Sequence, residues 1–186
     1  MNSLIAGVDE VGRGSLVGPV VAAAVILGSN KIEGLKDSKK LSQEKRYSLS
    51  EIIKREAISF SIGIASKDEI DNLNIRRASL LAMQRAIYGL NKNKIEIIVD
   101  GIDIPEVDLP CEAIVKADSK IFEVMAASII AKVHRDNLMA NLGKKYPKYF
   151  LEKNKGYPTK EHLNILKSLG PSKHHRKSYK PVKNAR

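Results

Sequence analysis

The sequence predicts an α/β protein with a mixed five-stranded sheet flanked by helices. Two observations carry that prediction. Short apolar runs of strand length are interleaved with longer stretches in which apolar residues recur at helical spacing. Their order is strands, then helices, then a strand, a short strand and a long helix. Such an order suits an antiparallel opening followed by parallel strands joined through helical crossovers.

Residues 3–9 (SLIAGVD) read as the first strand. Residues 19–27 (PVVAAAVIL) are continuously apolar, as in a strand covered on both faces. Ser42 is a candidate N-cap for a helix over QEKRYSLSEIIKRE. Residues 57–65 (AISFSIGIA) alternate, with Ile58, Phe60, Ile62 and Ile64 on one face. Ser66 and Glu69 form a capping-box pattern. Residues 74–90 place Ile75, Ala78, Leu81, Ala82, Ala86 and Leu90 at helical spacing. A strand follows at 95–100 (IEIIVD), a short one at 112–116 (EAIVK) and a long helix at 120–142, whose Ala126-Ala127-Ser128 stretch allows close packing on a sheet. From Tyr146 the chain turns rich in Lys, Tyr and turn residues, with one helix at about 159–169. The final stretch PSKHHRKSYKPVKNAR has no acidic side chain and reads as a basic segment, partly disordered when free. We therefore expect a main α/β unit over 1–145 and a C-terminal basic helical segment over 146–186 packed on it.

Composition narrows the function. Hydrophobic residues make up 43% of the 186, enough for a core, and with no Trp and 5% aromatics that core is Ile, Leu, Val and Ala. The net charge of +11 attracts polyanions, nucleic acid first. The lone Cys111 excludes an internal disulfide and a cysteine-based zinc site, and suits a reducing cytoplasm. The first charges are Asp9 and Glu10, unlike a signal peptide, and the apolar run from Leu16 to Leu27 is too short to span a bilayer. No membrane partner is expected.

Acids stand at three strand ends: Asp9 and Glu10 after the first, Asp100 after IEIIVD, and Asp118 just past EAIVK. Ligand sites of α/β sheets lie beyond the carboxyl ends of the strands, so neighbouring strands would bring four carboxylates together. Clustered carboxylates repel unless a cation neutralises them, and oxygen ligands alone select a hard ion, Mg2+ or Mn2+. Two such ions can clamp the attacking and leaving oxygens of a phosphodiester. Acidic centre and basic periphery together point to a metal-dependent nuclease; isolated caps or surface charges are the alternative. Adjacent strand residues face opposite ways, so Asp9 and Glu10 serve one site only if the chain departs from regular geometry there or each side chain reaches around. Gly12-Arg13-Gly14 follows: bare backbone suited to a ribose 2′-hydroxyl, and a guanidinium suited to phosphate. Taken alone, that motif also fits a tight turn with an exposed Arg.

The blocks GVDEVGRGSLVGPVVAAAVIL (7–27), LKDSKKLS (35–42), NIRRASLLAMQRAI (74–87), IVDG (98–101), KADSK (116–120), AASIIAKVHRD (126–136), NKGYPTKEH (154–162) and HRKSY (175–179) occur in order. In them the chain resembles ribonuclease HII, the type 2 ribonuclease H, over nearly its whole length. The resemblance implies a ribonuclease H-like sheet. It implies cleavage of RNA in RNA/DNA hybrids and nicking 5′ to single ribonucleotides in duplex DNA, leaving 3′-OH and 5′-phosphate ends, with Mg2+ or Mn2+. The family's catalytic and metal-binding acids fall on Asp9, Glu10, Asp100 and Asp118, and its ribonucleotide-contacting motif on Gly12, Arg13 and Gly14. Its junction-sensing tyrosine falls on Tyr157, otherwise readable as a turn residue. Ser38, Lys39 and Lys40 are expected near the duplex backbone, and Asn74 near the DNA strand. Ser15 stands where many relatives have Pro, and KAD replaces the commoner KGD. The arginine of the glycine motif and the early first strand favour ribonuclease HII over HIII, with no N-terminal substrate-binding domain expected. His134 and Asp136 read as salt-bridge or surface residues, and Lys173, Arg176 and Lys177 as solvated tail or DNA-backbone contacts. A monomer is expected.

Overall fold

A computed structural model describes residues 4–30, 32–36 and 38–185. In chain order its elements are β1 (Leu4–Val11), β2 (Val20–Leu27), α1 (Gln43–Glu56), β3 (Ala57–Ala65), α2 (Lys67–Leu73), α3 (Ile75–Gly89), β4 (Ile95–Asp100), β5 (Cys111–Ile114), α4 (Phe122–Lys145), α5 (Leu151–Asn154), α6 (Lys160–Leu169) and α7 (Lys180–Lys183). The sheet runs β3-β2-β1-β4-β5. β1 pairs antiparallel with β2, β2 antiparallel with β3, and β4 lies parallel to both β1 and β5. This is the expected mixed sheet. The predicted caps are present: Ser42 accepts from Lys45 N, and Ser66 and Glu69 form a reciprocal capping box.

β2 is apolar throughout because it is buried on both faces. Val20, Ala22, Ala24 and Ile26 pack with Ala6, Val8 and α3, whereas Val21, Ala23 and Val25 pack with α1 and α4. The two helical layers approach the sheet at glycines. A methyl group on Gly7 would lie 2.2 Å from the α4 backbone at Val124 N, and one on Gly63 would lie 2.0 Å from Ala82 O of α3. α3 therefore packs on the small-residue face of β3. The opposite face keeps Ile58, Phe60 and Ile64 at least one-third exposed, because β3 is an edge strand.

The structure differs from expectation in three places. β1 continues two residues past Asp9, to Val11. β5 stops at Ile114, because Lys116 turns left-handed (φ 59°) and a 3-10 turn at Ala117–Ser119 brings Asp118 back toward the sheet. Residues 171–185, expected to be partly disordered, pack down instead. His175 bridges to Val17 in antiparallel fashion, and His175, Arg176 and Val182 are buried. Leu16, Val17, Met139, Leu151, Leu166 and Val182 form a third apolar cluster that seats everything after Tyr146 on the end of α4. Among the described residues no helix is long and apolar enough to cross a membrane.

Gly7 sets the distance between β1 and α4. Gly7→Ala should destabilise the protein by about 1–3 kcal/mol, the usual cost of overpacking. The check is a urea melt with a lowered midpoint and an unchanged slope.

Candidate active site

β1 carries its first two acids without leaving regular geometry. Asp9 pairs with Ala23, Glu10 with Ala22 and Val11 with Val21. Asp9 shares the α4 face with Gly7 and Val11, and Glu10 shares the α3 face with Ala6 and Val8. Of the two expected solutions, the structure takes the second: each side chain reaches around the strand end, and both line one cleft of about 340 Å³. The backbone departs only afterwards, at Gly12 (φ 94°). The parallel register between β1 and β4 ends at Val8 opposite Val99, so the next residues along, Asp9 and Asp100, are neighbours. Asp100 lines the same cleft, and its Oδ1 accepts from Ala117 N at 2.7 Å, which fixes the 3-10 turn carrying Asp118. Asp118 is buried behind Asp100 and its Oδ2 accepts from Lys39 Nζ at 2.9 Å.

The electrostatics are those of crowded anions. Burial first, then the charges of Glu10 and Asp100, holds the Asp9 carboxyl well above the usual carboxylate range, against a hydrogen bond from Ser128. Burial also raises Glu10, opposed by the Arg13 guanidinium, and burial followed by the charge of Asp118 raises Asp100. Arg13 Nη1 donates to Glu10 Oε1 at 3.2 Å, whereas Glu10 Oε2 is buried with no protein partner. Among the described residues no three acids, histidines or cysteines close into a finished cage. The arrangement is an open chain of charges: three acids on the cleft, the fourth behind them under Lys39. An orphaned carboxylate oxygen in an all-oxygen donor set fits a hard divalent cation rather than zinc.

Two buried arginines shape the loop after the acids. A methyl on Gly12 would fall 2.1 Å from Arg135 Nε, so that position must be glycine. Arg135 donates to the carbonyls of Pro19, Val17 and Lys155 at 3.0–3.2 Å. Arg176 donates to Gly18 O, Pro19 O and Arg13 O at 2.9–3.0 Å, and Tyr179 OH donates to the same Arg13 carbonyl. Arg176 is therefore neither solvated tail nor a DNA contact: it is fully buried, while Lys173 and Lys177 stay exposed. The Arg13 side chain is half exposed, and around Gly14 there is open space. Ser15, at the variant position, is buried; its hydroxyl donates to Val17 O at 3.0 Å.

Tyr157 lines the acidic cleft, its ring centroid 5.4 Å from the Arg135 guanidinium and 5.9 Å from Lys132 Nζ. Ser38 is buried, its hydroxyl 2.9 Å from that of Ser128, and Lys39 reaches the cleft; Lys40 is exposed on the same turn. Asn74 is the N-cap of α3 (φ 71°), its side chain accepting from Arg77 N at 3.1 Å, and it lies outside the cleft. Asp136 pairs with Lys132 at 2.8 Å, as a salt bridge, and is buried. Sequence reasoning missed three polar cleft residues, Arg46, Ser128 and Lys132. The last two, with Asp136, recur at every fourth position along α4, so they share one face of that helix, and that polar stripe was the available signal. Arg46 holds the Ser38–Leu41 turn by donating to both carbonyls.

A sheet whose central parallel strands end in gathered carboxylates, under a basic rim, defines a hydrolase of the ribonuclease H fold. The family model described as ribonuclease HII matches residues 6–182. A ribonuclease HII of Vibrio parahaemolyticus is 53% identical over 183 residues, covering 98% of this chain and 87% of that protein. Among solved structures, the ribonuclease H2 of Pyrococcus horikoshii superposes with a TM-score of 0.82 at 27% identity, covering 97% of this chain and 96% of the other. The ribonuclease HII of Archaeoglobus fulgidus, solved in complex with PCNA, does so with a TM-score of 0.81 at 30% identity, covering 95% of each. The chain belongs to the ribonuclease HII family, and it is an enzyme with ribonuclease H activity on RNA/DNA hybrids.

The raised pKa values of Asp9, Glu10 and Asp100 mean that the contribution of these three groups to the stability of the metal-free fold is fully present below the ordinary carboxylate range and is lost as pH rises through the raised values. At neutral pH Asp9→Asn should therefore melt a few degrees higher than the parent in chelator. Mn2+ should raise the parental melting temperature and leave the variant nearly unmoved. Calorimetry across pH, with and without the ion, checks both.

Proposed function

We propose that this ribonuclease HII nicks duplex DNA on the 5′ side of a lone ribonucleotide as well as cutting longer hybrids, leaving 3′-OH and 5′-phosphate ends. The supporting observation is that Tyr157, delivered by the C-terminal segment, lines the same cleft as Asp9, Glu10 and Asp100. A ring there can lie on the sugar beside the bond to be cut, and the Gly12–Gly14 backbone can bond to the 2′-hydroxyl, which is both donor and acceptor. On this reading units 1–145 and 146–186 share one active site.

Asp9, Glu10, Asp100 and Asp118 would hold Mg2+ or Mn2+. Held there, two such ions would supply a water of lowered pKa and charge neutralisation for a leaving 3′-oxygen. The protein does the rest. Asp9, the most buried acid on the cleft, stands between Glu10 and Asp100 and bridges the site. Arg13 keeps one Glu10 oxygen oriented, and the Ala117 amide orients Asp100. Lys39, now on Asp118, would with Ser38 and Lys40 contact the phosphates of the duplex backbone once Asp118 holds a cation instead. We assign a cytoplasmic, monomeric enzyme whose partner is the hybrid or ribonucleotide-containing duplex.

The decisive substrate is a DNA duplex with a single ribonucleotide, set beside all-DNA and long-hybrid duplexes, with and without Mg2+. Cleavage only of the ribonucleotide-bearing strands, only with metal, is expected; nicking of the all-DNA duplex would refute the reading. Asp9→Asn should lower turnover on the order of 10³-fold or more while hybrid binding persists. Tyr157→Ala should slow cutting at the lone ribonucleotide about tenfold, as loss of one stacking platform implies, and affect long hybrids less.

A further inference from the structure

His162 and His175 are both buried, at 0% and 1% exposure, in the apolar seat of the C-terminal segment, away from the acids. Their ring nitrogens form a single chain. His162 Nδ1 lies 2.9 Å from Tyr157 O, His162 Nε2 lies 3.3 Å from His175 Nε2, and His175 Nδ1 lies 3.0 Å from Ser172 N and 2.9 Å from the Ser172 hydroxyl. A carbonyl only accepts and a backbone N–H only donates. From one end, His162 Nδ1 must carry a proton; from the other, His175 Nδ1 must be bare. A neutral imidazole carries one proton, so His162 Nε2 accepts and His175 Nε2 donates. Assigned independently from opposite ends, the two rings meet as one donor facing one acceptor. A second proton on either ring would set N–H against N–H. Burial lowers the pKa of both, that of His175 to about 4, so both are neutral at neutral pH.

The chain joins the two elements read above as ribonucleotide sensors. One end is the carbonyl of Tyr157 itself. At the other, His175 is backbone-paired with Val17, flanked by Gly18 N donating to His174 O at 3.0 Å and Arg176 N donating to Leu16 O at 2.8 Å. Residues 16–18 directly follow the Gly12–Gly14 loop. We propose that His162 and His175 are positioning residues: a tautomer-locked imidazole pair that holds Tyr157 in register with the Gly12-Arg13-Gly14 backbone and so sets the preference for a lone ribonucleotide. The proposal rests on the reading of Tyr157 as the stacking residue.

Two isosteres separate positioning from mere core filling. In His162→Asn the amide nitrogen takes the place of Nδ1 and can still donate to Tyr157 O; in His162→Gln the amide takes the place of Nε2 and that donor is lost. The readout is the ratio of lone-ribonucleotide to long-hybrid cleavage. His162→Gln should lower it roughly tenfold, the scale of one buried hydrogen bond, and His162→Asn should hold it within about twofold of the parent. In a Tyr157→Ala background His162→Gln should add nothing. Equal ratios for the two isosteres, or a full additive loss in the Tyr157→Ala background, overturn the proposal. A defective Tyr157→Ala with a silent His162→Gln sinks the positioning alone. A parental ratio in Tyr157→Ala sinks the stacking reading, and the positioning with it. Should the variants fail to fold, 15N correlation spectra of the parental imidazoles decide. Nδ1–H at His162 with Nε2–H at His175 supports the pair, and the opposite tautomer at either ring refutes it.

Discussion

Crowding of like charge at the ends of β1 and β4 is the constraint around which this molecule is arranged. The parallel register sets Asp9 beside Asp100, and the turn pinned by Asp100 Oδ1 brings Asp118 behind them. Asp9, Glu10 and Asp100 are displaced upward in pKa, and one Glu10 oxygen has no protein partner. The mutual repulsion of the acids opposes folding, and the Arg13, Lys39 and Ala117 contacts offset only part of it. The surrounding packing must hold it, and a cation must complete it.

The packing that holds it is tight because it is built from glycine and alanine. Gly7 lets the α4 backbone lie directly on β1, which places Ser128 against Asp9 and Lys132 on the rim of the same cleft. A bulkier β1 would push α4 outward and take the polar stripe of that helix away from the acids. The same economy appears on the other face, where α3 sits on Gly63.

A second device orders the recognition side. Arg135 and Arg176 are fully buried cations with backbone carbonyls as their hydrogen-bond partners and the Tyr157 and Tyr179 rings beside them. Burial lowers the pKa of both. Their donors converge on residues 13, 17, 18, 19 and 155, so the loop after the acids and the approach to Tyr157 are laced by the same two side chains. The imidazole pair adds a third connection between those segments. A loop free to present bare glycine backbone to a substrate is thus supported from beneath rather than by its own side chains.

Strand and helix identities were legible because their information is local: alternation in β3, unbroken apolarity in β2, caps at Ser42 and Ser66. The gathering of the four acids was legible because each stands at or just beyond the last residues of a strand, the side of an α/β sheet on which ligand sites lie. Other features were not. The basic composition of residues 171–186 suggested a loose tail, whereas the long-range bridge from His175 to Val17 and the burial of His175, Arg176 and Val182 fasten residues 171–185 to the body of the protein. That Asn74, within a family block, caps both the end of α2 and the start of α3 also emerged only in the structure. Arg46, Ser128 and Lys132 joined the cleft only through packing across the sheet. The sequence by itself determined the element types and the chemistry at each strand end, since these depend on neighbours a few residues away. Tertiary structure alone decided which cations stay at the surface and which are buried as scaffolding, because that depends on carbonyls and rings more than a hundred residues distant along the chain.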